Sequence, residues 1–101
     1  MSETEAPARV INPTAEDAYW RATFRQQPFY KPDFSFDDYG PALRVGYTGP
    51  VRREGSFHDQ EAALQRDWDQ IKGRSRLSWP EARQAARAAW EHACRGAGQA
   101  A

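Results

Sequence analysis

Cysteine is almost missing from this sequence. Cys94 stands alone, so no disulfide can close within the chain, and a reducing compartment is the expected setting. Long apolar runs are missing too. No stretch approaches the ~20 residues a membrane-crossing helix needs. The opening MSETEAPARVINP is acidic and proline-interrupted, unlike the basic and then apolar start of a signal peptide. A cytoplasmic location, away from any membrane, is the expectation. Neither sign of charge dominates: Lys+Arg and Asp+Glu each number 14, for a formal net charge of +0. That excludes a strongly basic nucleic-acid coat and an acidic tail protein. Aliphatic residues are scarce, since Leu, Ile, Val and Phe together number 13 among 101 residues, under the ~20% where disorder becomes a usual reading.

Aromatic residues oppose that reading. Four Trp, four Tyr and five Phe are present, and each large ring buries about 150–250 Å². A few of them can replace the missing aliphatics. At 101 residues and 11.5 kDa the chain is one small domain with little room for a deep catalytic cleft.

Along the chain, residues 1–12 read as a disordered tail, 13–95 as a single helical domain and 96–101 as a flexible C-terminus. The first helix is expected over 14–26, capped by Thr14, with Asp17 in its first turn, Trp20 and Phe24 on one face, and Pro28 as its stop. QPFYKPDF then reads as an extended aromatic strap.

Three segments share one grammar: SFDDYGPALRVGY from Ser35, SFHDQEAALQRDW from Ser56 and SWPEARQAARAAW from Ser78. Each has Ser, an aromatic, an acid three after the Ser, Ala seven after it and an aromatic twelve after it. The starts lie about 21 residues apart, a spacing typical of stacked helical units. Duplication and the shared grammar of helix starts both account for it. Ser at the N-cap with an acid at N3 forms a capping box. At 100° per residue, Phe57, Leu64, Trp68 and Ile71 fall on one stripe, and Trp79, Ala86, Trp90 and Ala93 on another. The expected core is therefore Trp20, Phe24, Phe57, Leu64, Trp68, Ile71, Trp79, Ala86 and Trp90. Gly40-Pro41 interrupts the first segment, which predicts a turn over 35–39 and a short helix around 41–48. Longer helices are expected near 57–72 and 79–95, paired as an antiparallel hairpin. The fold class is all-α.

Tyr19-Trp20-Arg21, Pro28-Phe29-Tyr30 and Asp38-Tyr39-Gly40-Pro41-Ala42 with Arg44 and Gly46, followed by Trp68, Gly73 and the Trp79 to Trp90 helix, together resemble a type of small, uncharacterised bacterial stress-associated protein. The last motif opens Trp79-Pro80-Glu81-Ala82-Arg83, in W-x-x-A-R order. The resemblance implies a bacterial cytoplasmic protein, raised under stress. It brings no catalytic residues with it.

The residues offer little for catalysis. His92 and Cys94 lie two apart on a helix and point about 200° apart, so they cannot share an ion, and His58 reads as a surface residue. Cys94 near a helix C-terminus meets the dipole end that disfavours a thiolate. No phosphate loop or nucleophile elbow is present. No enzyme activity, cofactor, metal or small-molecule substrate is expected. Twelve of the fourteen basic residues are Arg, which suits phosphate and base contacts. Arg52 and Arg53, and Lys72, Arg74 and Arg76, each precede a capped helix start, so they are candidates for a phosphate-binding edge in a small nucleic-acid-binding protein. The favoured expectation is a non-enzymatic protein-interaction or self-assembly module, because so small a core commonly gains from association. Tyr30 and Tyr39 are its expected surface aromatics, and the same five basic residues could serve a protein partner.

Overall fold

The computed structural model describes residues 11–99, with side chains placed through 95. It is all-α: α1 (Pro13–Thr23), α2 (Phe36–Arg52), α3 (Phe57–Ile71) and α4 (Trp79–Gln99), with a short 3-10 turn over Phe24–Gln26. Among the described residues there is no strand, and no helix is long and apolar enough to cross a membrane.

Asn12, not Thr14, caps α1. Its side-chain oxygen accepts from the Thr14 and Ala15 N–H groups at 3.0 and 3.2 Å, and Pro13 occupies N1, where a missing N–H loses nothing. Ile11 is half-buried against the core. Ile11 and Asn12 thus belong with the helical domain and not with the expected tail over 1–12; residues 1–10 lie outside the described residues. At the other end the α4 backbone runs one turn beyond 95, to Gln99.

The helices after Ser35, Ser56 and Ser78 begin at Phe36, Phe57 and Trp79, as the shared grammar requires. Asp59 Oδ2 accepts from the Ser56 N–H at 3.2 Å while Ser56 Oγ accepts from the Asp59 N–H at 3.2 Å. Glu81 and Ser78 repeat the exchange at 2.9 and 3.4 Å.

The first of these helices corrects the expected break. α2 runs unbroken for 17 residues with Pro41 and Pro50 inside it. An interior Pro costs about 3 kcal/mol, but Tyr39, Leu43, Val45 and Tyr47 are all buried by this continuous helix, each worth about 1.5–3 kcal/mol. Packing wins. Gly40 eases the passage, because it has no Cβ for the Pro41 ring to strike.

α3 and α4 form the antiparallel hairpin. Phe57 meets Trp90 with ring centroids 5.9 Å apart, and Trp68 meets Trp79 at 5.5 Å. The closest packing, however, joins α4 to α2. Ala82, Ala85, Ala86, Ala89 and Ala93 are buried against it. A β-carbon at Gly46 would strike the Ala86 carbonyl, and one at Gly49 would strike the Trp90 ring. Gly46 lets two backbones touch, and Gly49 makes room for the Trp90 ring against the α2 backbone.

Three residues stand elsewhere than their patterns suggested. Ile71 is 45% exposed; it is the last residue of α3. Trp79 is half-buried, and its indole N–H donates to Glu61 at 3.3 Å. Tyr39, expected at the surface, is 1% exposed. Its hydroxyl accepts from the Lys31 N–H at 2.9 Å and donates to the Phe29 carbonyl at 3.2 Å. The strap is thereby tied down, with Phe29, Tyr30 and Phe34 packed round the Tyr39 ring. Burial raises the Tyr39 pKa.

Candidate functional site

The basic residues singled out before α3 and α4 do not form one edge. Arg52 and Arg53 end α2, whereas Arg76 is bound to Asp38 in its first turn. Fourteen residues of helix separate the two ends, about 21 Å. Asp38 is buried and accepts from the Arg76 guanidinium at 2.7 Å, the Arg76 backbone N–H at 3.0 Å and the Ser35 N–H at 3.0 Å. Arg76 also donates to the Asp33 carbonyl at 2.8 Å, and the Ser75 hydroxyl donates to the Asp38 carbonyl at 2.6 Å. The Arg76 hydrogen bonds outweigh desolvation and lower the Asp38 pKa to about 2. Arg76 is a structural clamp.

Two more of the five are similarly engaged. Arg53 lies 2.9 Å from Asp67. Lys72 lies 3.6 Å from Asp69 and sits over the Trp68 ring at 4.8 Å. Only Arg52 and Arg74 have no carboxylate partner among the described residues. Tyr30 is half-buried and leans edge-on against Phe24 at 5.5 Å.

The open surface lies along α2. One side of that helix is covered by α4. The opposite side presents Asp37, Pro41, Arg44, Thr48 and Arg52, spaced three and four apart and all at least partly exposed. This face forms the floor of two cavities that meet at Arg44 and Ile71. One, of about 480 Å³, is walled by Pro13, Thr14, Asp17 and Arg21 of α1. The other, of about 390 Å³, is walled by Leu64, Asp67 and Gln70 of α3. Asp17 and Arg21 pair at 2.7 Å. Among the described residues Arg44 and Arg52 have no carboxylate partner in an ion pair, and Asp37 has no cationic one. Arg44 was not singled out as a binding residue by the sequence, because the expected break at Pro41 hid the stripe to which it belongs.

A third cavity, of about 630 Å³, lies between the start of α3 and the end of α4. Its arginines are largely committed: Arg83 bonds Glu61 at 2.7 Å and Arg87 bonds Glu91 at 3.1 Å. Arg83 holds the Glu61 pKa below the ordinary value. Cys94 and His58 both line this cavity, but no hydrogen bond joins them among the described residues. His92 is turned to α1, where Nδ1 lies 3.1 Å from Glu16 and the ring stacks on Tyr19 at 4.0 Å. No group of three or more potential metal ligands converges among the described residues. No family model, curated protein or solved structure matches this chain.

Proposed function

We propose that this chain is a non-enzymatic protein-interaction module of the bacterial cytoplasm, used in a stress setting, that docks a protein partner through the open face of α2. The stress setting and the bacterial source rest on the motif resemblance. The docking reading rests on one observation: α2 is clamped on one side by α4, yet its other side is left as a groove in which Arg44 and Arg52 have no carboxylate partner among the described residues. Unpaired arginines beside partly apolar walls are the side-chain types that anchor protein interfaces.

Nucleic-acid binding is the weaker reading. Arg53, Lys72 and Arg76 already hold carboxylates, and Asp17, Asp37 and Asp67 line the same groove. Phosphate would meet repulsion as well as attraction there. The test is the mass of the full chain, purified from its native host, across a range of concentrations. A stable co-purifying protein, or self-association, that Arg44→Glu with Arg52→Glu abolishes supports the reading. A monomer that binds only nucleic acid at physiological salt overturns it.

A further inference from the structure

We infer that the groove along α2 receives an acidic amphipathic helix of a partner protein, with two carboxylates reaching Arg44 and Arg52 and a large apolar side chain of the same face seated on Ile71. The inference rests on the interaction reading above and adds the chemistry of the partner.

Three features select that occupant. The first is charge. Within the groove the Asp17–Arg21 and Arg53–Asp67 pairs cancel internally at 2.7 and 2.9 Å. What remains is Asp37 at one end and Arg44 with Arg52 toward the other. An acid-bearing ligand complements the arginine end, with a neutral or basic residue over Asp37. The second is spacing. Arg44 and Arg52 are eight residues apart on one face of α2, about 12 Å, which matches two acids about two turns apart on a facing helix. Thr48, between them, turns its hydroxyl back to the Arg44 carbonyl at 2.7 Å and leaves the floor flat. Ile71, 45% exposed, borders both cavities where they meet at Arg44, so the apolar anchor falls within the groove beside the Arg44 contact.

The third feature is the backbone of the groove itself. Floor and walls are helices, so the groove offers no strand edge. An extended peptide laid there would leave its own main-chain groups without protein partners, whereas a helix arrives with them satisfied. This is the helix-in-groove mode of recognition, read as anchors at helical spacing. A nucleic-acid strand fits worse, since among the described residues only two cations of the groove, Arg44 and Arg52, lack a carboxylate partner, and sequence-independent affinity scales with the number of phosphates neutralised.

The probe is a stapled helical peptide bearing two glutamates a heptad apart with a leucine on the same face. Its control carries lysines in place of the glutamates. Each is titrated into the isotope-labelled full chain, with amide shifts followed by NMR. The expected result is saturable binding of the glutamate peptide, with perturbations centred on Arg44, Thr48, Arg52 and Ile71. Arg44→Glu with Arg52→Glu should weaken it by about tenfold or more and confer binding of the lysine peptide instead, since opposed charges set specificity across such a contact. Both arginines are exposed and unpaired, so an unchanged melting curve will show that the variant still folds.

Perturbations centred on Arg83, Arg87 and Trp90, or no effect of the double charge reversal, overturn the inference. If the peptide fails while a native partner protein cross-links to another face, the inference falls and the interaction reading stands. If an RNA oligonucleotide occupies the groove at physiological salt in place of the peptide, both fall.

Discussion

The guanidinium of Arg76 lies 2.7 Å from the carboxylate of Asp38, whose side chain is only 4% exposed. This contact joins the first turn of α2 to the segment that leads into α4, and so fixes where the two central helices start relative to each other. Because Arg76 lowers the Asp38 pKa from the usual 3.8 to about 2, the folded state binds this proton more weakly than the unfolded chain does. The resulting stability is fully present above pH 3.8 and is lost as the pH falls through about 2. It amounts to about 2 kcal/mol. Urea unfolding of Asp38→Asn beside the wild type checks this. The two should differ by about 2 kcal/mol or more at neutral pH and converge near the acid end. A difference that stays constant down to pH 2 would mean that ionisation of Asp38 is not what the clamp uses.

A second expectation follows from the α2–α4 contact. Gly46→Ala ought to gain about 1 kcal/mol of helix propensity. The new methyl would instead meet the Ala86 carbonyl and lie 2.8 Å from the Ala89 β-carbon, and overpacking of this kind costs about 1–3 kcal/mol. Backbone cannot swing aside as a side chain can, so the net effect is destabilising. Thermal melts read it directly. A higher melting temperature for Gly46→Ala would show that the helices are not in backbone contact.

Tyr39→Phe removes only a hydroxyl, but that oxygen holds both Lys31 and Phe29 of the strap. Leaving partly buried backbone groups unpaired costs about 1–3 kcal/mol. The amide of Lys31 should also lose hydrogen-exchange protection while the amides of α4 keep theirs relative to global stability. Equal loss throughout the molecule would mean that the strap is held by ring packing alone.

How much of this was legible in the sequence depends on how local the cause is. The starts of α3 and α4 are written in Ser56 and Ser78 with the acids three residues on, because capping is decided within one turn. α2 also starts straight after its Ser, at Phe36, where the Gly40-Pro41 break predicts only a turn. The aromatic strap was readable in its place, from Pro28 and Pro32 and the rings around them, but not in its form. It is two turns, closed from the Tyr30 N–H to the Gln27 carbonyl at 3.0 Å and from the Phe34 N–H to the Lys31 carbonyl at 3.1 Å, not extended chain. The continuity of α2 was not legible. Gly40-Pro41 is a true local breaker, and only the burial of Tyr39 and Leu43 against other elements overrides it. Reading that helix as broken placed Tyr39 outside and concealed the stripe of Asp37, Pro41, Arg44, Thr48 and Arg52 that forms the groove. The clamp on Asp38 was equally hidden, since Arg76 lies 38 positions further along the chain. A basic loop and a structural arginine look alike until the partner carboxylate is known.

The end of α3 offers a paired comparison. Trp68 and Ile71 were placed on one stripe, yet Trp68 is 2% exposed and Ile71 45%. Trp68→Ala should therefore cost about 3–5 kcal/mol, the range for truncating a buried large aromatic, and unfold much of the population. Ile71→Ala should stay within about 0.5 kcal/mol of the wild type. Denaturation midpoints of the two variants check this. Comparable losses at both positions would place Ile71 inside the core and remove the anchor from the groove.

The salt dependence of nucleic-acid binding provides the last test, and the ion pairs set its size. Five free cations in the segments before α3 and α4 would give a slope of log affinity against log salt of roughly −4 on duplex DNA. With Arg53, Lys72 and Arg76 held by Asp67, Asp69 and Asp38, only Arg52 and Arg74 of these five remain without a carboxylate among the described residues, and the two segments contribute a slope no steeper than about −2. Contacts that few leave binding too weak to detect near physiological salt. The role of Arg76 separates the two cases further. If it were a phosphate ligand, Arg76→Ala would flatten the salt slope by about one unit and leave the melting temperature alone. As the partner of a buried carboxylate it should do the reverse, lowering the melting temperature by several degrees and leaving any residual slope where it was.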